Sequence, residues 1–296
     1  MHTTRRQFLS QSGMALTGAA LLANASRVDA SPMNLPIGFQ AYEIGPDLAK
    51  DWDGTFAKMA SYGYSFIDMV VFGPYAARTA KELNATFARH KLACTNVHWG
   101  YANFNGSFGP TIDYSHLLGA KSVVCGPGPR QKTAEDWKFQ ASELNRFGAM
   151  TKKEGLLLAY HNHEIEFVKT PDGQVPFDIL MAETDPALLR FQIDVGNLTF
   201  GGGDPYAYLA KYPTRYLSLH AKDYVQGKAA VPVGAGSLDW KKIFSLAKAA
   251  KIDSIVSEVG AYNASSLNGV RLEPPTMDVL ELFRLSAVYL KDFKDA

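Results

Sequence analysis

Gly155-Leu156-Leu157-Leu158-Ala159-Tyr160-His161-Asn162-His163-Glu164-Ile165-Glu166-Phe167 is the stretch on which the reading of this chain turns. Its first half is a short, unbroken apolar run, the pattern of a strand buried on both faces of a parallel sheet. Its second half packs two imidazoles, an amide and two carboxylates into the eight residues from Tyr160 to Phe167. A buried strand that ends in ligand-type side chains marks a candidate active-site edge.

Working outward, the same rhythm recurs along the chain. Strand-like runs are expected at 35–40, 66–72, 92–98, 122–125, 156–160, 189–194, 216–220 and 255–258. Amphipathic helices are expected at 48–62, 79–90, 133–154, 177–183, 205–211, 240–250 and 276–290. One more, ending near Leu118-Gly119, follows a polar, Gly-rich loop from Gly100 to Gly109. Eight strands alternating with helices over a segment of this size predict a single α/β domain, a (β/α)8 TIM barrel. The rival is an open doubly wound sheet. It calls for a phosphate-cradling glycine motif after the first strand, but Gln40-Ala41-Tyr42-Glu43-Ile44-Gly45-Pro46 stands there instead. Gly201-Gly202-Gly203 and Gly234-Ala235-Gly236 lack the strand-to-helix context and read as turn glycines.

Residues 1–30 differ from the rest. Arg5-Arg6 form a twin-arginine pattern, a weakly apolar segment spans Met14 to Ala23, and small-residue cleavage sites end at Ala25 or Ala30. The expectation is a cleaved signal peptide for twin-arginine (Tat) export to the periplasm, with residues 31–296 as the folded domain. The apolar run falls short of the ~20 residues of a spanning helix, so no stable membrane insertion is expected. The Tat route generally carries proteins that fold before export, often with a cofactor. Without the arginines and aspartate of this segment, the formal charge moves from +1 to about −1. No basic stripe remains, which argues against nucleic acid as a partner. Cys94 and Cys125 lie in apolar runs and read as buried free thiols.

In a barrel of this kind the C-terminal strand ends share one mouth. Strands 5 to 8 each end in a metal-type ligand: Glu164, Asp194, His220 and Glu258. A lone Asp at a strand end reads as a turn former, and a lone His as a satisfied core residue. Four such groups aimed at one point would repel and desolvate badly without a cation. Carboxylates with one imidazole suit Mn²⁺, Mg²⁺, Co²⁺ or Zn²⁺. Gln40, His98 and Trp99 end strands 1 and 3, and with His161 and His163 they are candidate substrate-binding or ligand-orienting residues. Lys222, two residues past His220, reads either as an oxyanion or hydroxyl donor or as the partner of Asp223 or another carboxylate.

These motifs, together with Ala182-Glu183-Thr184-Asp185-Pro186, Lys211-Tyr212-Pro213, His220-Ala221-Lys222-Asp223 and the run Val233 to Trp240, carry a resemblance. Over residues 35–292 the chain resembles the sugar phosphate isomerase/epimerase superfamily with its xylose isomerase-like barrel. That superfamily also holds ketose 3-epimerases, inosose dehydratases and apurinic endonuclease relatives. The resemblance implies that Glu164, Asp194, His220 and Glu258 hold a divalent metal. It implies an isomerase or epimerase of carbohydrates, working by proton transfer next to a carbonyl through an enediolate, with Glu164 and Glu258 as the proton-carrying pair and Lys222 as a third catalytic residue. The runner-up is a lyase or dehydratase acting on a keto-sugar or 3-keto-glycoside, and the alternative of another class is a sugar-binding barrel without catalysis. The expected partner is a small sugar or glycoside. The chain departs from its nearest relatives at Asp194-Val195, where many carry an aromatic after the Asp.

Overall fold

The computed structural model describes residues 31–223, 225–226, 230–260, 273 and 275–293. The expected export signal and its cleavage sites lie outside the described residues. Eight parallel strands form a closed barrel in chain order: β1 (Ile37–Gln40), β2 (Phe66–Val70), β3 (Ala93–Trp99), β4 (Ser122–Cys125), β5 (Leu157–His161), β6 (Leu189–Asp194), β7 (Tyr216–Ala221) and β8 (Ser254–Ser257). β8 pairs back onto β1, with Phe39 opposite Ser257. This is the (β/α)8 TIM barrel that the alternating pattern predicts.

The helices are α1 (Gly45–Lys50), α2 (Trp52–Tyr62), α3 (Ala80–Arg89), α4 (Tyr101–Gly106), α5 (Phe108–Leu117), α6 (Ala134–Lys153), α7 (Pro176–Glu183), α8 (Val195–Phe200), α9 (Pro205–Lys211), α10 (Trp240–Ala249) and α11 (Val279–Asp292). Several have chemically explicit starts. Thr79 and Thr133 each close a capping box, with Glu82 and Asp136, and Asp239 accepts from the Lys242 N–H. The core lies between strands and helices, where Phe39, Phe56, Phe87, Phe147, Phe177 and Phe191 are fully enclosed. Each such ring contributes about 1.5–3 kcal/mol by leaving water.

Three local expectations are corrected. The helix expected at 48–62 is two helices, because Asp51 takes an extended backbone (φ −150°) and its side chain caps α2 through the Gly54 N–H. The segment 100–109, expected as a loop, is mostly α4 and the start of α5. Phe104 is buried there and stacks on Phe147 at 5.0 Å between centroids, so apolar contact overrides the glycine content. The short helix α8 was not expected. Asp194 starts it by accepting the Asn197 N–H. Cys94 and Cys125 are buried and unpaired. No helix among the described residues is long and apolar enough to cross a membrane.

Candidate active site

Strand alternation decides which side chains enter the barrel. On β6 these are Gln192 and Asp194, on β7 Ser218 and His220, and on β5 His161, which pairs in register with Gln192. The result is a buried cluster of His161, Asp194, His220 and Glu258 whose potential ligand atoms all lie within 4.8 Å of one another. Three of the four residues expected as ligands are therefore together. The strand-5 member is His161 and not Glu164. β5 ends at His161, and the chain then turns into a short 3₁₀ segment at Ile165–Phe167, leaving Glu164 half-buried at its start and outside the cluster.

Local hydrogen bonds hold the cluster's frame. The Asn162 side chain mimics a strand, accepting the Asp194 N–H (2.9 Å) and donating to the Asp194 carbonyl (3.0 Å). Asp194 Oδ1 accepts the Asn197 N–H at 2.7 Å, while Oδ2 is buried with no hydrogen-bond partner among the described residues. Burial pushes the Asp194 pKa up to about 7, against the pull of Lys222. Lys222 Nζ donates to Asn197 Oδ1 (2.9 Å) and to Glu258 Oε1 (3.1 Å). Burial opposes charge on Glu258, but Lys222 and His220 outweigh it and hold its carboxyl well below the usual range. Burial also disfavours a charged His220, yet Asp68 and Glu258 push its pKa up to about 10. His161 goes the other way, its pKa lowered by burial and by the neighbouring His220, which leaves a neutral imidazole with a lone pair.

The other expected residues divide. His98 Nε2 faces Asp68 Oδ2 at 3.0 Å and lies 3.4 Å from Gln40 Nε2, so both point inward. His163 is half-buried beside His161, and its Nδ1 has no partner among the described residues. Trp99 turns the other way, into the helix layer. Its Nε1 donates to Ser115 Oγ at 2.9 Å and its ring packs edge-on against Tyr114, because His98 takes the inward position on β3. Glu166 accepts from Tyr160 Oη (2.6 Å) and from the His163 N–H (3.0 Å), which anchors the loop after β5. Asp223 receives the N–H groups of Gly234, Gly236 and Leu238 and the Trp240 indole, so it organises that loop and leaves Lys222 to Glu258.

Asp68 and Gln192 are two further buried polar residues beside the cluster, neither with an expected role. Asp68 Oδ2 accepts from His220 Nε2 (2.8 Å) and Gln192 Nε2 (2.9 Å). The signal was an acid inside the apolar run Phe66 to Val70, which a buried strand does not keep without partners.

Two carboxylates and two imidazoles, one of them neutral, fit a divalent ion, and the buried, unpartnered Asp194 Oδ2 is short of positive charge. Gly196 guards the geometry, since a Cβ there would sit 2.6 Å from Lys222 Cγ and 2.7 Å from the Lys222 carbonyl oxygen. Gly196→Ala is expected to cost about 1–3 kcal/mol through overpacking and to loosen the Lys222–Glu258 contact. Thermal melts with and without metal check this, and an unchanged melt would show that the β6–β7 junction yields freely.

An eight-stranded parallel barrel with a metal-type cluster at its C-terminal mouth defines the class. Within it, the chain belongs to the xylose isomerase-like TIM barrel family, whose model matches residues 56–265. It is 34% identical to an inosose dehydratase of Clostridium perfringens, over 68% of this chain and 80% of the relative. A sugar phosphate isomerase/epimerase from Parabacteroides distasonis superposes with a TM-score of 0.74 at 24% identity, covering 87% of this chain and 93% of that one. A xylose isomerase-like TIM barrel protein from Mycobacterium smegmatis, solved in complex with magnesium, superposes with a TM-score of 0.65 at 18% identity, covering 88% and 96%. Further curated relatives are also named as inosose dehydratases, and a protein named as an L-ribulose 3-epimerase shares the barrel fold with a TM-score of 0.63 at 15% identity.

Proposed function

We propose that this protein is a metal-dependent lyase of the dehydratase type, acting on a small cyclic keto-sugar or keto-polyol and exported through the twin-arginine route. The observation that carries the reading is the strand-5 exchange. Epimerisation through an enediolate calls for a proton acceptor on each side of the substrate, expected at Glu164 and Glu258. β5 delivers the His161 imidazole to the cluster, and Glu164 stays out of it. One proton-accepting carboxylate, Glu258, with the Lys222 ammonium beside it suits elimination better, which needs one acceptor for the C–H proton and one donor for the leaving oxygen. The inosose dehydratase relative supports the same choice.

His161, Asp194, His220 and Glu258 would hold the metal. When bound, it polarises a substrate carbonyl and so acidifies the neighbouring C–H. Glu258, ionised between Lys222 and His220, accepts that proton. The electron pair forms the new C=C bond, and the C–O bond one carbon further on breaks. The Lys222 ammonium, held cationic against burial by Glu258 and Asp194, donates a proton to the departing oxygen, which leaves as water, and the proton on Glu258 then restores Lys222 across their 3.1 Å contact. His98 and Gln40 face the interior beside this cluster and suit hydroxyl recognition.

The test is a screen of keto-polyols and 3-keto-glycosides in D₂O with metal-loaded and chelator-treated protein. Loss of water or of an aglycone, abolished by chelation and restored by Mn²⁺, is the expected result. Deuterium exchange without elimination would replace the lyase with an epimerase, and no exchange with any substrate would favour a sugar-binding barrel.

A further inference from the structure

Beneath the cluster, one carboxylate oxygen collects three side chains. Asp68 Oδ2 lies 2.8 Å from His220 Nε2, 2.9 Å from Gln192 Nε2 and 3.0 Å from His98 Nε2. Asp68 and Gln192 are both fully enclosed. Asp68 is on β2, far in sequence from the strands that supply the cluster. Two of its contacts lead directly to candidate ligands. The Gln192 amide donates through Nε2 to Asp68, so its Oε1 is turned to His161 Nδ1 at 3.0 Å. An amide oxygen only accepts, so His161 must carry its proton on Nδ1 and present Nε2 as its lone pair. His220 is the mirror case. Asp68 accepts its Nε2–H, and Nδ1 is turned to Glu258 Oε2 at 2.8 Å.

We propose that Asp68 is the positioning residue of the metal centre. Acting directly on His220 and through the Gln192 amide on His161, it fixes opposite tautomers in the two imidazoles. This rests on the metal-centre reading above and adds to it residues that touch neither metal nor substrate. Carboxylate-to-histidine contacts behind a metal orient the ring and raise its basicity, and losing one typically lowers metal affinity 10–100-fold. Here one carboxylate serves two rings. The amide between Asp68 and His161 is the directional part, because only a Gln oriented by a carboxylate shows its oxygen to the ring.

Asp68, His98 and His220 also form a three-residue group whose ligand atoms lie within 4.8 Å of one another, so a second cation is the competing explanation. It is disfavoured by the contacts themselves. Oδ2 already accepts the Gln192 amide N–H at 2.9 Å, a donor that cannot give way to a metal.

The test uses full-length Zn²⁺-loaded protein with ¹⁵N-labelled histidines. Metal content is read by elemental analysis, Mn²⁺ affinity by titration, and ring tautomers by long-range ¹H–¹⁵N NMR. Wild type is expected to bind one metal per chain, with His161 protonated at Nδ1 and His220 at Nε2. Gln192→Leu is expected to lose metal affinity 10–100-fold, with the His161 tautomer scrambled and that of His220 intact. The exchange variant Asp68→Asn/Gln192→Glu keeps an acceptor for each ring and is expected to recover most of the affinity, whereas Asp68→Asn alone is not. Wild-type affinity and an unchanged His161 tautomer in Gln192→Leu would overturn the proposal. So would a second metal equivalent that disappears in Asp68→Asn. If Gln192→Leu fails to fold, the exchange variant and Asp68→Asn carry the same decision. Wild-type protein that takes up no divalent metal would sink the metal-centre reading as well. Normal tautomers and metal in a protein inert toward every keto-sugar would sink only the assigned reaction.

Discussion

His161→Ala is expected to lose divalent metal by at least about 100-fold in affinity and kcat/KM by about 10³ or more, while Glu164→Ala keeps its metal in full. The contrast follows from where β5 stops. His161 is its last residue, faces inward, and is braced at Nδ1 by Gln192, so its removal takes one of four groups from a buried cluster. Without the metal, Asp194 and Glu258 share too little positive charge, and burial already pushes the Asp194 pKa up to about 7. Glu164 is half-buried at the start of the following turn, and its loss removes nothing from the cluster. Asp194→Ala and Glu258→Ala should behave like His161→Ala. Elemental analysis of the purified variants and Mn²⁺ titration decide the matter. Metal lost in Glu164→Ala and kept in His161→Ala would return Glu164 to the ligand set and reopen the two-carboxylate epimerase.

The barrel was legible because its strands are apolar runs at regular spacing, and the mouth because those runs end in polar residues. Asp194, His220 and Glu258 could be placed from that alone, since each lies within one residue of its strand end. Glu164 could not, because it lies three residues past the end of β5, where strand alternation no longer says which way a side chain points. Alternation does point His161 at the cluster: Tyr160 faces the helix layer, so His161 faces the barrel. The same rule separates inward His98 from outward Trp99. Asp68 and Gln192 escaped for another reason. They are visible as polar interruptions of apolar strands, but which partners satisfy them depends on contacts spanning 124 and 152 residues. No local pattern encodes these.

Lys222→Met is expected to destabilise the metal-free protein by about 3–5 kcal/mol and the metal-loaded protein by clearly less. Lys222 is buried and pairs with buried Glu258, and removing one partner of such a pair leaves an uncompensated charge. A cation bound by Glu258 supplies the compensation that Lys222 otherwise gives. The pH dependence should change sign with it. In the wild type the Glu258 pKa is depressed, so its contribution is complete above the unfolded value of about 4.3 and disappears as pH falls through the lower folded value. Without Lys222, burial becomes the dominant influence and raises the folded pKa. Once it passes the unfolded value, the native state binds the extra proton, and stability falls as pH rises above about 4.3. Metal-free Lys222→Met should therefore melt higher at pH 4.5 than at pH 7. Turnover should also be lost with metal restored, because the cation that meets the departing oxygen is gone. A metal-free variant as stable as wild type at pH 7 would mean that His220 alone neutralises Glu258. Lys222 would then be free to serve the substrate throughout the reaction and not the resting cluster.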